Sequence, residues 1–235
     1  DENKKILAHH AHKIIAVSQN TKNDILKFYD IPQDKIEVIH HGSSFDNSTL
    51  KTIKPCTKLF KNYFLYVGYR GGIKNFTRFI MGTAPILKNN KWLGVVCAGS
   101  WNFTKKEKQL FKELEITKQI IQIPVTDCEL KFLYKNALAF IFPSLYEGFG
   151  IPVLEAFSCK CPTLLHYGSS FPEIAGDAAL YFDGTNINSI SNSLEKIITD
   201  KNLRESLIKK GNKQNQNFSW KKAAEQTKLV YKSIL

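Results

Sequence analysis

Two carboxylates, Glu147 and Glu155, stand with seven residues between them in the stretch FPSLYEGFGIPVLEA, residues 142–156. The apolar residues before them read as the end of a buried strand, and VLEA as the first turns of a helix. Between the two lie Gly148 and Gly150, whose missing side chains let the backbone come close to a ligand. Pro152 suits the first helical position, because its absent N–H would have had no partner there. The N–H groups of that first turn point outward and favour an anion. A carboxylate, a glycine loop and an anion-binding helix start together make a cradle suited to a nucleotide sugar. Two cations four apart, Arg70 and Lys74, occur in GYRGGIKN, residues 68–75. Alone, such a pair usually belongs to a solvated surface. At the carboxyl end of a central strand it faces a ligand crevice.

The elements that must position these residues follow from hydrophobic period. Residues 63–67 (YFLYV) read as a strand, followed by the glycine-bearing turn from Gly68. A helix then places Phe76, Phe79, Ile80, Thr83, Ala84 and Leu87 on one face. Strand, glycine turn and helix begin a Rossmann-like unit, although the glycines do not spell G-x-G-x-x-G. Further strands are predicted at 93–98, 120–123, 139–142, 161–165 and 180–182, with helices at 105–114, from Asp127, at 170–176 and from Ile187. Asp127 is read as the N-cap of its helix rather than as a catalytic acid. Ser219 is read as the N-cap of the last helix. Upstream, strands are predicted at 13–18 and 35–40, with an amphipathic stretch at 24–29. This alternation predicts an α/β fold with a Rossmann-like, doubly wound parallel sheet.

EGFGIPVLE matches the E-x7-E motif of the retaining glycosyltransferases of GT-B fold called group 1, or family 4, and the chain resembles them further. Arg70 and Lys74 match the family's R-x3-K pair, Pro172-Glu173-Ile174 with Gly176 match PEI-x-G, and Phe218-Ser219-Trp220 match the sequence before its terminal helix. The resemblance implies the C-terminal half of a GT-B fold. It places the remnant of an N-terminal domain and the interdomain crossover at 1–45, a donor-binding Rossmann-like domain at 46–217, and a helix packing back toward the junction at 218–235. Residues 46–61 read as a linker. The resemblance also implies transfer of a hexose from a nucleotide-diphosphate sugar with retention of anomeric configuration. It assigns Glu147, Arg70 and Lys74 to catalysis, with Glu147 holding a sugar hydroxyl and the two cations neutralising the leaving diphosphate. Gly68, Val125, Gly148, Phe149, Gly150, Ile151 and Glu155 are assigned to the donor, with Glu155 accepting from the ribose hydroxyls and backbone near Val125 gripping the base. The sequence has no D-x-D, so metal-independent transfer with no cofactor beyond the donor substrate is expected.

Composition bounds the rest. A chain of 235 residues with 43% hydrophobic and 12% aromatic content is long and apolar enough for a packed α/β domain. Apolar runs are too short to span a bilayer, and no signal-peptide pattern opens the chain. Five cysteines without metal-ligand spacing suit a reducing compartment. His9, His10 and His12 lack acidic or cysteine partners at ligand spacing and read as solvated or packing residues. A cytoplasmic location is expected, with peripheral association at the inner face of an anionic membrane. The net charge of +12 is spread along the chain without a basic run, which reads as composition more than as a specific partner.

Three rival readings remain at the level of sequence. One is a nucleotide-sugar epimerase of the same fold. A second is a nucleotide-sugar-binding module that depends on a partner supplying the missing N-terminal domain. The third, a nucleic-acid binder, has only the charge in its favour, and no nucleic-acid partner is expected. The acceptor, glycan or lipid-linked, is not specified, and cell-envelope polysaccharide or lipopolysaccharide synthesis is the role the resemblance implies.

Overall fold

The computed structural model describes residues 2–43, 45 and 51–235. The first part of the expected linker, 46–50, lies outside the described residues. The chain opens with α1 (Glu2–His10), β1 (Ile14–Ala16), α2 (Gln19–Tyr29) and β2 (Ile36–Val38). β1 and β2 pair in parallel as a separate two-stranded sheet, Ile14 opposite Ile36, over a small core of Ala16, Ile31 and Ile36.

The remaining elements alternate. They are β3 (Asn62–Val67), α3 (Phe76–Asn89), β4 (Leu93–Ala98), α4 (Lys105–Glu113), β5 (Ile120–Ile123), α5 (Asp127–Asn136) and β6 (Ala139–Phe142). α6 (Ile151–Ser158), β7 (Thr163–His166), α7 (Phe171–Ala175), β8 (Leu180–Phe182), α8 (Ile187–Thr199), α9 (Lys201–Asn215) and α10 (Trp220–Lys232) complete the chain. The main sheet has six parallel strands in the order β5-β4-β3-β6-β7-β8.

A parallel sheet is covered on both faces, so its strands read as continuous apolar runs. Successive side chains go to opposite faces. Tyr63 and Leu65 of β3 join one core with Phe140 of β6, Tyr134 of α5 and Leu154 of α6. Phe64 and Tyr66 join the other, with Val95 of β4, Phe79 of α3 and Ile190 of α8. Each such buried side chain contributes about 1.5–3 kcal/mol relative to exposure.

Local capping sets several boundaries. Ser18 accepts from Thr21 N, so α2 starts five residues before the amphipathic stretch at Asp24. The N-cap of α5 is Thr126, in a reciprocal capping box with Glu129, and Asp127 is the first helical residue rather than the cap. A similar box joins Thr104 and Glu107 at α4. Gly150 precedes α6 with φ of 102°, which makes Ile151 the first helical residue and Pro152 the second. Ser219 does cap α10, accepting from Lys222 N.

Candidate active site

The strand order reverses between β3 and β6. β4 and β5 extend the sheet on one side, β7 and β8 on the other. Loops that leave the carboxyl ends of β3 and β6 therefore diverge and leave a crevice between them. Gly68 follows β3 with φ of 100°, a conformation open to glycine, and its N–H donates to the Ala98 carbonyl at 3.0 Å. Asn75 holds φ of 58°, and its Nδ2 donates to the Pro143 and Gly184 carbonyls at 3.1 and 2.8 Å. Leu145 N donates to Ile73 O at 2.8 Å. The Leu145–Ile73 backbone bond and the Asn75 side-chain amide thus fasten the two loops to each other.

That stitching brings Lys74 to Glu147, Nζ to Oε1, at 2.5 Å. Both are partly buried, and the Lys74 ammonium also stands 5.7 Å from the centroid of Phe142. The loop carrying Glu147 is held by hydroxyls. Ser169 Oγ accepts from Glu147 N at 2.9 Å and donates to Glu147 O at 2.6 Å. Ser170 Oγ lies 2.9 Å from the Glu147 and Phe149 carbonyls. Ser18 and Thr21, from the N-terminal segment, donate to Gly148 O at 2.6 and 3.1 Å. The carbonyls of 147–149 are all engaged. Among the described residues, the N–H groups of Gly148, Phe149 and Gly150 meet no acceptor, and no side chain caps α6. The loop therefore offers donors at the head of a helix, the arrangement that suits an anion.

Arg70 does not share Lys74's partner. Its guanidinium side chain is 5% exposed, and Nε donates to Glu107 Oε1 at 2.7 Å. Nη2 donates to the carbonyls of Trp101 and Asn102 at 2.7 and 3.2 Å, and the cation lies 4.8 Å from the Phe103 ring centroid. Nη1 is buried without a hydrogen-bond partner. Burial works to raise the Glu107 carboxyl, but hydrogen bonds from Arg70 and Thr104 outweigh it and hold Glu107 below the usual carboxylate range. Of the expected cation pair, Lys74 meets the second loop and Arg70 braces the β4–α4 loop.

Glu155 lies within α6, largely buried, with its Oε2 accepting from Tyr134 at 3.1 Å. Burial raises the carboxyl above its ordinary value, the Asp127 charge adds to that, and the tyrosine hydrogen bond opposes it. Val125 follows β5 and packs, partly buried, on the core that holds α5 and α6. Among the described residues, no group of three or more His, Cys, Asp or Glu side chains is placed to hold a metal ion.

Three contacts around the crevice were not signalled by the sequence. Glu173 accepts from Gln19 N and Asn20 N at 2.8 and 3.2 Å, and its Oε1 lies 2.6 Å from His40 Nε2. The PEI-x-G match marked this segment but not its partners. The Tyr146 hydroxyl donates to the Asp24 carboxylate, and burial first, then that bond, pushes its pKa up to about 12. Glu107, the partner of Arg70, sits in an ordinary charged helix 37 residues away.

The fold and this crevice define a Rossmann-like α/β domain of the GT-B type. The chain belongs to the family of glycosyl transferases group 1, whose family model matches residues 54–214, and the model of Glycosyltransferase Family 4 matches residues 3–46. It is 27% identical over 230 residues to O-antigen chain mannosyltransferase B of Escherichia coli, covering 94% of this chain and 60% of that protein. It is 30% identical over 185 residues to O-antigen chain mannosyltransferase RfbU of Salmonella typhimurium, covering 78% and 50%. The chain thus spans about half to three-fifths of the length of these relatives. In fold it is similar to a glycosyltransferase from Rickettsia africae ESF-5, with TM-score 0.84, 18% identity, and 100% and 67% of the two chains covered. It is also similar to Anabaena Alr3699/HepE in complex with UDP and glucose, with TM-score 0.83, 14% identity, and 97% and 65% covered. Among the described residues no helix is long and apolar enough to cross a membrane.

Proposed function

We propose that this chain binds a nucleotide-diphosphate sugar and supplies the donor-side groups for its transfer to a glycan or lipid-linked acceptor. Transfer proceeds with retention and without a metal, in cytoplasmic assembly of a cell-envelope polysaccharide. The observation that carries this reading is the Lys74–Glu147 contact across the strand-order reversal. It puts a cation and a carboxylate together where a diphosphate and its sugar would meet. Mannose is the first sugar to test, because the two relatives above carry mannosyltransferase names.

In this reading the bond between the anomeric carbon and the diphosphate oxygen breaks, and the electron pair leaves with the diphosphate. Lys74 and the unpaired N–H groups before α6 meet that growing charge directly, while the buried Arg70 cation adds its charge from behind the crevice. Each charge-assisted hydrogen bond contributes about 1.5–3 kcal/mol. The acceptor hydroxyl bonds to the anomeric carbon on the face the diphosphate leaves, and its proton passes to the departing oxygen. Glu147 orients a sugar hydroxyl, Glu155 receives the ribose hydroxyls, and backbone beside Val125 grips the base. Gly68 leaves room for the ligand at the end of β3.

Calorimetric titration with UDP, GDP and ADP, without metal, tests the reading. One nucleotide should bind, and Glu155→Ala should lose it. Failure of all three to bind would overturn it. A second reading has its own observation: among the described residues β1 and β2 form a two-stranded parallel sheet, an arrangement short of independent stability. A partner or further domain that completes this sheet would then be needed for transfer. Donor hydrolysis or transfer by this chain alone would exclude that dependence.

A further inference from the structure

The net charge of +12 has no basic run to carry it in the sequence, yet the fold gathers six lysines along one edge of the sheet. All six strands of the main sheet run parallel, so the residues that precede them share one edge. Lys61 directly precedes β3, Lys91 and Trp92 precede β4, and Lys118 lies in the turn that leads into β5. Two grooves open at this edge. Lys54, Lys58 and Lys61 line one, and Lys91, Lys112 and Lys118 line the other. Phe60 lines both, so the grooves adjoin and the six ammonium groups form one field. The carboxylate in these linings, Glu115, is ion-paired to Lys88 at 2.8 Å. None of the six lysines has an ion-pair partner among the described residues. Trp92, beside Lys91, is 48% exposed.

We propose that this face docks the protein onto an anionic phospholipid bilayer. Lysines present point charges on flexible apolar stems, which reach phosphate headgroups while the stems lie against apolar surface. An exposed indole among them suits the water–lipid boundary, where its amphipathic ring is at home. A nucleic-acid surface would interleave the cations with several exposed rings to stack bases, and this edge presents one exposed ring with partly buried Phe60 and Phe132. The docking is independent of the donor reading. Combined with it, a geometric consequence follows. The crevice lies at the opposite edge of the sheet, one strand length or about 20 Å away. An acceptor anchored in the same bilayer then needs several sugars, rather than one, to reach Glu147.

Sedimentation with phosphatidylcholine vesicles, with and without phosphatidylglycerol and with no nucleotide added, tests the proposal. Binding should require the anionic lipid and weaken with salt. In the Trp101→Phe/Trp220→Phe protein, Trp92 emission should shift to the blue on binding and be quenched by lipids brominated on their tails. Lys58→Glu/Lys61→Glu/Lys112→Glu should reduce partitioning by about a hundredfold or more. Lys196→Glu/Lys209→Glu/Lys228→Glu, the same change in net charge on other helices, should leave it nearly intact. Equal losses in the two triple variants would overturn the assigned face. Absent binding to anionic vesicles, or unquenched Trp92 with equal retention on soluble heparin, would overturn the bilayer itself. The quenching result stands without the charge reversals, so it decides the matter even if a triple variant folds poorly.

Discussion

Lys74 Nζ lies 2.5 Å from Glu147 Oε1, and this contact joins the loop after β3 to the loop after β6 where the strand order reverses. Without ligand the two charges satisfy each other. A bound diphosphate would compete with Glu147 for the ammonium. Lys74→Met should therefore weaken binding of the cognate nucleoside diphosphate by about 10- to 100-fold, equivalent to one charge-assisted hydrogen bond. Glu147→Gln should leave that affinity unchanged or higher, because the competing charge is gone, yet lower sugar transfer by about a hundredfold or more. Calorimetry and a transfer assay separate the two effects. Parental affinity in Lys74→Met would remove Lys74 from the phosphate site.

Arg70 and Glu107 form a second charged pair after β3, and the remaining hydrogen-bond partners of Arg70 are backbone carbonyls. Replacing Glu107 with Gln leaves a buried guanidinium without its counter-charge. The expected cost is about 2–3 kcal/mol, a fall in Tm on the order of 5–10 °C for a chain of this size. The pH dependence has a definite sign. Glu107 is held below the usual carboxylate range in the folded state, so its contribution is present above the unfolded pKa and fades as pH falls through the folded one. The gap in Tm between parent and Glu107→Gln should be widest near neutral pH and close on the acid side. Thermal unfolding followed from about pH 3 to about pH 8, through the carboxylate range and above it, checks this.

Much of the main sheet was legible, because β3, β4, β5, β6 and β8 are apolar runs bounded by turn residues. Their predicted and observed spans agree to within a residue at each end. The predicted β7 starts two residues early, because Cys161 and Pro162 are buried but lie before the strand. The start of α2 was hidden for a different reason. Gln19-Asn20-Thr21-Lys22-Asn23 has no apolar stripe, and its first turn is held by Glu173, far along the chain. The motif spacing marked Arg70 and Lys74 as a pair, but spacing carries no information about partners. Only the fold separates Arg70, bound to Glu107, from Lys74, bound to Glu147.

Glu155 should show a conflict between stability and binding. Its carboxyl is raised chiefly by burial. A raised acid favours the folded state in its protonated form, so its effect on stability is least adverse below the unfolded pKa and grows as pH rises through the folded one. Glu155→Gln removes the buried charge, keeps an acceptor for Tyr134, and should raise Tm at neutral pH. The same variant should bind the nucleotide more weakly by about tenfold, because an amide is the poorer acceptor for two ribose hydroxyls. Melting and calorimetry on one preparation test both halves. A variant that is less stable at neutral pH and more stable in acid would reverse the sign and discount burial as the cause.

Glu173 connects the N-terminal segment to the crevice. Its carboxylate holds the first two N–H groups of α2, where the helix end is positive, while Ser18 holds the third. α2 in turn supplies Thr21 to the Gly148 carbonyl, and Ser18 just before it does the same. Glu173→Ala should cost about 1–2 kcal/mol locally. Hydrogen exchange should accelerate in the first turn of α2 and in β1 and β2, while the strands of the main sheet keep their protection. A few-fold loss of nucleotide-sugar affinity should accompany it, because the loop at Gly148 loses support, and Glu173→Gln should restore part of that loss. Faster exchange across β3 to β8 as well would show that Glu173 acts on the whole fold. Unchanged exchange in α2 would show that Ser18 and Thr21 suffice to hold the segment in place.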